Sequence, residues 1–507
     1  MTHGYRRAPE SSRKWRGAAL AVAFGALACG RAPGPEGARP LELVIPTGIA
    51  TLDPRFSTRA LDVKATRLVH AGLVGLEPTS LAPVPLVAAS WRRLGERALE
   101  ITLRAGVRFH SGRALTPEDV CATLSALGDE RLGSPHREVV RAIGSCQVDG
   151  PLTLTLRLAA PRATLLTDLE VPILRADEVR RPPQPSGELD GLGPYRIARA
   201  DGDVIELEPA DTGVLPRPRH AVTLRTVRDE NARALRLLAG RADVAPNAIS
   251  PALLPALEGR DGLEVVSRRG ANVTYLLMQN DRPELSRVEV RHAIARAIDR
   301  RLIVETLLAG RGEPARELLP PGHWAEDRAL AAEPFDPAAA RPVLEPLPPL
   351  TLLTSTDRAR VTIARAIAQM LGDAGLTVRV VPLDLGVMLE RLDSGNYDLA
   401  TLQMPELTEP NVLSWFFSPT GVPGEGGAGR NRARYRSPAA GRLLAEASRV
   451  SEPEQRRPLY QQLARLMAED LPVVPLWHED QIAVVSPRAR GFVPSAEGRW
   501  LSIARLP

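Results

Sequence analysis

The residue types that could carry covalent or metal chemistry are few and scattered in this sequence. It contains eight histidines and three cysteines in 507 residues. It has no His-Glu-x-x-His motif, no Gly-x-Ser-x-Gly motif, no phosphate-binding loop and no Cys/His cluster. His110 has no second ligand at metal-binding spacing, which disfavours a metal at that position. We therefore expect no catalytic residues, no metal and no cofactor, and the residue types favour binding over catalysis.

One cysteine lies where a bacterial lipoprotein carries its lipid. Basic residues near the N-terminus precede an apolar stretch, 17–28, that is too short to span a bilayer. The stretch ends in Ala-Leu-Ala directly before Cys29, and lipoprotein signal peptidase cleaves at such small residues. We predict that residues 1–28 are a lipoprotein signal peptide, that Cys29 is lipidated, and that 29–40 form a flexible tether to a bacterial membrane. The alternative is an ordinary secretory signal with a chance cysteine.

The other two cysteines are Cys121 and Cys146. In an oxidising, extracytoplasmic compartment they could form a disulfide, and otherwise they are two buried thiols. Both alternatives stay open, because a disulfide depends on the distance between the two Cα atoms and not on their spacing in the sequence.

The composition is that of a globular protein with more than one domain. The sequence is 44% hydrophobic and 25% charged, and its length allows several cores. Acidic and basic residues are interspersed, the net charge is +5 and aromatic residues make up 4%, which argues against a nucleic-acid surface. Lys14 and Lys64 are the only lysines, so arginine carries nearly all of the positive charge. We expect a monomer with no nucleic-acid partner.

The most strongly patterned region begins with a strand at 273–278, which is apolar enough to be buried on both faces. Ser286 and Glu289 have the spacing of a capping box and predict the start of a helix. Asp299 is suited to cap a second helical piece. This strand-and-helix pattern predicts part of an α/β domain.

The same alternation of strands and helices extends over the chain. The region 314–349 is rich in proline and is predicted to be a loop. Thr116, with Pro117 and Asp119 behind it, predicts a helix start. Further predicted strands are 41–45, 99–105, 152–158, 222–227, 350–353, 399–402, 471–477 and 482–485, and further predicted helices are 229–240, 361–370, 385–392 and 454–470.

Several motifs occur in the order of a known family. They are Asn-Val-Thr-Tyr at 272–275, Val-Arg-His-Ala-Ile-Ala-Arg-Ala-Ile-Asp-Arg at 290–300, the segment 103–120, Gly-Leu-Gly-Pro-Tyr at 191–195 and Gly-Asn-Tyr-Asp at 395–398. Together they resemble the peptide-type (family 5) periplasmic solute-binding proteins of ABC transporters. The resemblance extends from about residue 41 to residue 500, and the order of the motifs carries it more than any single motif.

The resemblance implies a two-lobe, periplasmic-binding-protein-like α/β fold of the three-domain, peptide-binding type, with hinge-crossing strands. It implies a first lobe that begins at 41–58, continues at 186–270 and returns at 476–507. It also implies a subdomain inserted in the first lobe and a second lobe, at 59–185 and 271–475.

The resemblance also implies a binding site at the end of the 399–402 strand. Glu406 stands where relatives carry the aspartate that binds the ammonium group of a peptide, and Gln403, Met404 and Pro405 would form the neighbouring wall. The alternative is that Glu406 is a solvated loop carboxylate. Glu409 is a second candidate for the same role.

Further ligand contacts are implied elsewhere. Dipeptide-binding relatives use an arginine directly after the 350–353 strand, but this sequence has Thr354, Ser355 and Thr356 there, with Arg358 slightly later. That difference puts capture of a free C-terminal carboxylate by this segment in doubt. Two further residues match first-lobe and side-chain-pocket positions, although the second belongs to a pattern that is more often core: Thr58 and Trp415.

The resemblance implies a substrate-binding lipoprotein of an ABC importer in the periplasm. It would bind a peptide between its lobes, close by hinge bending and deliver the peptide to a membrane permease. Alternatives within the fold are binders of a nickel complex, an opine or a sugar. Alternatives from other classes are a secreted lipoprotein hydrolase and a receptor that passes its ligand to a sensor.

Overall fold

The computed structural model of the protein describes residues 39–425, 429–450 and 452–507. The predicted signal peptide, the predicted lipidation site Cys29 and almost all of the predicted tether lie outside these residues. Among the residues described, no helix is both long and apolar enough to cross a membrane.

The N-terminal half of the described chain is rich in strands. Its strands are β1 (Leu41–Ile45), β2 (Val74–Leu76), β3 (Pro83–Pro85), β4 (Ala88–Arg93), β5 (Ala98–Leu103), β6 (Ile143–Val148), β7 (Thr153–Leu158), β8 (Tyr195–Asp201), β9 (Val204–Pro209) and β10 (Val222–Thr226). Its helices are α1 (Ala60–Val69), α2 (Pro117–Gly128), α3 (Arg137–Val140), α4 (Leu165–Asp168) and α5 (Glu230–Leu238).

The C-terminal half alternates strands and helices more regularly. Its strands are β11 (Val244–Pro246), β12 (Glu264–Arg268), β13 (Val273–Met278), β14 (Gly312–Pro314), β15 (Leu350–Ser355), β16 (Val378–Leu383), β17 (Leu399–Met404), β18 (Val473–Glu479) and β19 (Gln481–Val485). Its helices are α6 (Leu254–Leu257), α7 (Val288–Arg296), α8 (Arg300–Leu307), α9 (Pro337–Leu344), α10 (Arg358–Asp373), α11 (Leu385–Asp393), α12 (Val412–Phe417), α13 (Pro438–Arg449) and α14 (Pro453–Asp470). Short 3₁₀ turns occupy Arg260–Gly262, Pro419–Gly421, Pro487–Ala489 and Leu501–Arg505.

Most of these strands belong to three sheets. The first-lobe sheet has the order β12-β19-β11-β1-β10-β9-β8, and the second-lobe sheet has the order β14-β18-β13-β17-β15-β16. A separate antiparallel sheet, the subdomain sheet, has the order β4-β5-β7-β6. In the first-lobe sheet β1 is parallel to β10 and β11, and in the second-lobe sheet β15 is parallel to β16 and β17. The predicted α/β class is confirmed.

Strand β13 is the centre of the second lobe. All six of its residues are buried, as the sequence predicts. Leu276 and Met278 pack into a core formed with α7, α8, α9 and α10, whereas Val273, Tyr275 and Leu277 pack into a second core on the opposite face. Since successive side chains of a strand point to opposite faces, one apolar strand serves both cores.

The chain crosses between the two lobes from β12 to β13 and again from β18 to β19, and the two crossing segments are bonded to each other. The Asn272 side-chain amide donates to the Glu479 carbonyl oxygen at 2.7 Å, and its amide oxygen accepts the Glu479 N–H at 2.8 Å. A Cβ at Gly270 would overlap the Glu479 carbonyl oxygen, so only glycine allows this approach. The predicted two-lobe fold with crossing strands is confirmed.

The predicted helix caps are correct at two positions and wrong at one. The Asp119 carboxylate accepts the Thr116 N–H at 3.0 Å, and Asp299 accepts a backbone N–H of the first turn of α8 at 2.9 Å. The capping box predicted at Ser286 does not form, because α7 begins at Val288 after Arg287. The Ser286 hydroxyl instead donates to the carbonyl oxygen of Pro283, a local bond that competes with capping.

The prediction of a continuous loop at 314–349 is wrong, because α9 forms inside it. Asp336 caps this helix by accepting the Ala339 N–H at 2.9 Å, and Pro337 occupies the first helical position, where its missing N–H costs nothing. Ala340 and Leu344 then pack into the second-lobe core. The prediction relied on proline content and overlooked the helix start at Asp336 and Pro337.

Cys121 on α2 and Cys146 on β6 are joined by a disulfide in the structure. Their Cα atoms lie 5.4 Å apart, inside the range that a disulfide spans. The bond links the helix to the edge strand of the subdomain sheet and closes a loop with a sequence separation of 25 residues.

We expect replacement of both cysteines by serine to destabilise the subdomain by about 3 kcal/mol, because the loop then loses its constraint on the unfolded chain. The measurement is thermal unfolding of the double variant beside the unmodified protein with and without reductant. The unmodified protein in reductant should match the variant. Alkylation of both thiols without prior reduction would contradict the disulfide.

Candidate ligand-binding site

A cavity of about 450 Å³ lies between the two lobes. We call it the inter-lobe cavity, and residues from both sheets and the crossing segments form its walls. The first lobe contributes Ala60 and Lys64 of α1, residues 247–251 and the start of β19. The crossing segments and the second lobe contribute Asn272, Leu308, Arg311, Gln403, Pro405, Glu406, Glu479 and Asp480. A ligand in this cavity would contact both lobes at once.

Three of the four residues predicted around the end of β17 line the inter-lobe cavity. They are Gln403, Pro405 and Glu406. The loop that carries them is attached to the crossing segment, because the Leu407 N–H donates to the Ala271 carbonyl oxygen at 2.6 Å. The contacts that join the lobes therefore also position Glu406.

Gln403, which lines the cavity, belongs to a row of hydrogen-bonded polar side chains that ends at Glu479 on the same cavity. Its amide oxygen accepts from an Arg360 Nη at 3.1 Å, and its amide nitrogen donates to the Thr274 hydroxyl at 3.4 Å. That hydroxyl donates to Glu479 at 3.1 Å. Arg360 was not predicted from the sequence, which drew attention to Arg358 two residues earlier.

Glu406 has no hydrogen bond or ion pair to any residue that the structure describes. Glu406 is exposed on the cavity wall, and the protein around it removes part of its hydration, which raises the pKa of its carboxyl. The positive charge of Lys64 opposes the rise but does not cancel it. The carboxylate is therefore available to a cation from outside the protein.

Glu409, the second candidate for ammonium binding, already has a partner within the protein. It forms an ion pair with Arg456 and accepts from the Thr167 hydroxyl at 3.3 Å. Arg456 also donates to the Tyr460 hydroxyl at 3.1 Å and to the carbonyl oxygen of Ala163 at 3.2 Å. The ion pair joins α14 to the loop after β17, and the bonds to Thr167 and Ala163 join both to the region of α4, which is a structural role.

The remaining predicted site residues do not wall the inter-lobe cavity. Met404 is buried in the second-lobe core, and Thr354 is buried with its hydroxyl bonded to Thr401 at 2.9 Å. The Ser355 hydroxyl oxygen is buried without a partner among the described residues. Four others face solvent, and their part in binding stays a prediction: Thr58, Thr356, Arg358 and Trp415.

A chain of charged side chains leads away from the cavity into the first lobe. Arg499 donates to both Glu170 oxygens, at 2.6 and 3.0 Å, and its Nε lies 3.1 Å from Glu497. Glu497 lines the cavity and is buried, and its Oε2 has no partner among the residues described. Burial lowers the pKa of Lys64, which is the next charge towards Glu406. The rarity of lysine was the one sequence signal that could have drawn attention to Lys64.

The arrangement is suited to reversible ionic recognition. Carboxylates and an ammonium group converge in a partly desolvated cavity, where charge-assisted hydrogen bonds are strong. Within the described ranges, no group of three or more His, Cys, Asp or Glu side chains could hold a metal ion.

Comparison with known proteins identifies the family. Residues 82–424 match the family described as bacterial extracellular solute-binding proteins, family 5 Middle. The chain therefore belongs to the family 5 bacterial extracellular solute-binding proteins. It is 24% identical over 511 residues to the dipeptide-binding protein of Pseudomonas aeruginosa, covering 90% of this chain and 93% of that protein. It is likewise 24% identical over 493 residues to heme-binding protein A of Haemophilus influenzae, covering 86% of each.

Solved structures share the fold. The substrate-binding protein CtaP of Listeria monocytogenes superposes with a TM-score of 0.82 at 17% identity, over 92% of this chain and 98% of that one. DppA of Helicobacter pylori in complex with the peptide STSA gives a TM-score of 0.71 at 20% identity, over 92% and 97%. NikZ of Campylobacter jejuni in complex with Ni(L-His) gives a TM-score of 0.74 at 19% identity, over 92% and 98%. At these identities the likeness establishes the fold.

We expect Arg456→Met to lower the free energy of unfolding by roughly 2–3 kcal/mol, because it leaves the partly buried Glu409 carboxylate without its cation. The double variant Arg456→Met with Glu409→Gln should recover part of that loss, since no unpaired charge remains. Thermal and urea unfolding of the three proteins measure both effects. Equal stability of the single variant and the unmodified protein would contradict a structural role for the pair.

Proposed function

We propose that the protein binds a peptide in the inter-lobe cavity and that Glu406 binds the ammonium group of that peptide. The observation that carries the proposal is an unpaired, partly desolvated carboxylate on the wall of a cavity between two lobes. A cation that enters the cavity restores the electrostatic stabilisation that Glu406 lost on leaving water. A peptide N-terminus is such a cation.

Two further observations support a peptide. Gln403 and Glu479 line the cavity and offer polar groups to an extended backbone at the end of β17, and Arg360 and Thr274 hold them in place. Relatives of similar length are named a dipeptide-binding protein and di/tripeptide-binding proteins of Pseudomonas aeruginosa.

The second candidate is a non-peptide solute bound in the same cavity. Its support is the variety of cargo named for relatives, which include a heme-binding protein and the glutathione-binding protein GsiB of Salmonella paratyphi A. A nickel complex, an opine and a sugar therefore belong in the same binding screen.

The proposal continues to transport. Ligand that contacts both lobes would favour their closed arrangement by differential affinity, and closure would present the loaded protein to the permease of an ABC importer. No covalent step is needed for this function, so we propose that the protein is not an enzyme. We also propose that it acts as a monomer.

We further propose the domain division expected above, with 59–185 as the inserted subdomain. Its support is that β4 to β7 pair only with one another in the described chain, and that β8 re-enters the first-lobe sheet. For the return to the first lobe we propose Glu479–Gln481 in place of the expected 476, because β18 pairs with β13 of the second lobe up to its end and β19 pairs with β12 of the first.

We expect Glu406→Gln to weaken the binding of a peptide with a free N-terminus by roughly 10–100-fold, because the variant loses a charge-assisted hydrogen bond to the ammonium group. The same peptide with an acetylated N-terminus should bind the variant and the unmodified protein equally weakly. Isothermal titration calorimetry of both peptides against both proteins separates the ammonium contribution from any general damage. Equal loss for both peptides would remove Glu406 from ammonium recognition.

The proposed location is the periplasmic side of a bacterial membrane, with Cys29 as the lipid anchor. Its support is the sequence of residues 17–29 alone, since Cys29 lies outside the described residues. We expect Cys29→Ser to release the protein from the membrane fraction into the soluble fraction. Palmitate labelling of the unmodified protein, absent in the variant, is the matched readout, and release of the unmodified protein without label would favour an ordinary secretory signal.

A further inference from the structure

We propose that Lys64 binds the free C-terminal carboxylate of the ligand, so that the inter-lobe cavity selects zwitterionic peptides of dipeptide length. The inference rests on the peptide-binding function proposed above and names the peptides that the site takes. It also answers the doubt raised by the threonines and serine at 354–356, where dipeptide-binding relatives carry an arginine.

Lysine is rare in this chain, and its one position in the described residues is at the cavity. Of the 65 lysines and arginines, only Lys14 and Lys64 are lysines, and Lys14 lies in the predicted signal peptide. An arginine presents a planar fork, whereas a lysine is a compact point charge with three rotatable donors on a flexible stem. A chain that uses arginine almost everywhere therefore places a small, adjustable cation beside Glu406.

The other two cations that line the cavity, Arg233 and Arg311, already have partners, and so does Arg499 behind the cavity-lining Glu497. Arg233 donates to three backbone carbonyl oxygens at 2.6 to 2.8 Å. Arg311 pairs with a glutamate at 3.1 Å, and Arg499 pairs with two. Lys64, by contrast, makes no hydrogen bond or ion pair to the part of the chain that the structure describes.

Lys64 and Glu406 influence each other without being paired. In a formed ion pair the pKa of the carboxyl falls and the pKa of the ammonium rises. Here burial raises the pKa of Glu406 and lowers the pKa of Lys64, although each charge acts against that shift in the other. Protein surrounds part of each group, and a ligand with an ammonium and a carboxylate would supply a partner to both.

Gly498 leaves room for the Lys64 side chain. It has a φ of +76°, and a Cβ there would lie 2.8 Å from Lys64 Nζ. Burial lowers the pKa of Lys64, and the negative charges of Glu406 and Glu497 oppose that shift. Lys64 lines the cavity beside Gly498, where a ligand carboxylate would approach it.

The size of the cavity limits the length of the peptide that can contact both Glu406 and Lys64. Glu406 and Lys64 wall the same space of about 450 Å³, in the lower half of the roughly 300–1,000 Å³ range of small-molecule sites. Each added residue lengthens an extended peptide by about 3.5 Å. Since Glu406 and Lys64 wall one cavity of this size, a short peptide would reach both, and each added residue would move its carboxylate further from the ammonium held at Glu406.

The test is calorimetry on the predicted mature chain with four probes: dialanine, dialanine amide, N-acetyl-dialanine and tetra-alanine. We expect the unmodified protein to bind dialanine about tenfold or more tightly than the amide and than tetra-alanine. In Lys64→Gln the preference over the amide should vanish, whereas the preference over the acetylated probe should persist. Lys64→Arg should keep both preferences, which controls for folding.

The outcomes separate the two claims. A Lys64→Gln protein that still prefers dialanine to its amide overturns the inference and leaves peptide binding intact. An unmodified protein that binds none of the four probes overturns the proposed function, and the inference fails with it.

A second readout uses the scarcity of lysine. Reductive methylation with ¹³C-formaldehyde retains the charge of lysine and labels Lys64, the single lysine of the predicted mature chain, together with the N-terminal amine. The Lys64 NMR signal is the one that Lys64→Gln lacks, and we expect dialanine to shift it and dialanine amide to leave it near its free position. Equal shifts with both probes would show that the carboxylate does not contact Lys64.

Discussion

The structure depends on the contact between its two crossing segments. The Asn272 side-chain amide satisfies both backbone groups of Glu479, and Gly270 lets the two segments approach. Strand β13 starts directly after Asn272 and strand β18 ends at Glu479, so this contact sets the position of the second-lobe sheet. The Glu406 loop is attached at Ala271. The hinge and one wall of the cavity are therefore built from the same few residues.

Charge is distributed unevenly along the cavity. Glu170, Glu497 and Arg499 form ion pairs that satisfy nearly all of their donors and acceptors. Next to these charged side chains lie Lys64 and Glu406. They belong to different lobes and have no ion-pair partner among the described residues. A ligand that carries both an ammonium and a carboxylate would offer each of these two side chains an opposite charge.

Two neighbouring glutamates have different roles because the fold gives them different surroundings. Glu406 and Glu409 lie on the same loop after β17, but Glu409 faces the buried Arg456 and Glu406 faces the cavity. Glu409 bonds both Arg456 of α14 and Thr167 of α4, whereas Glu406 has no partner among the described residues and lines the cavity. Two acids three residues apart on one loop thus differ in whether the fold supplies a partner.

The sequence by itself determined the features that depend on local pattern. The apolar run of β13 predicted burial on both faces, Asp119 and Asp299 predicted helix starts, and the order of motifs predicted the two-lobe fold. Only the tertiary structure decided which side chains meet in the cavity. Alternation along β17 turns Met404 into the core and Gln403 towards Arg360, and lobe packing brings Lys64 near Glu406. These contacts join residues far apart in the chain, so no local spacing encodes them.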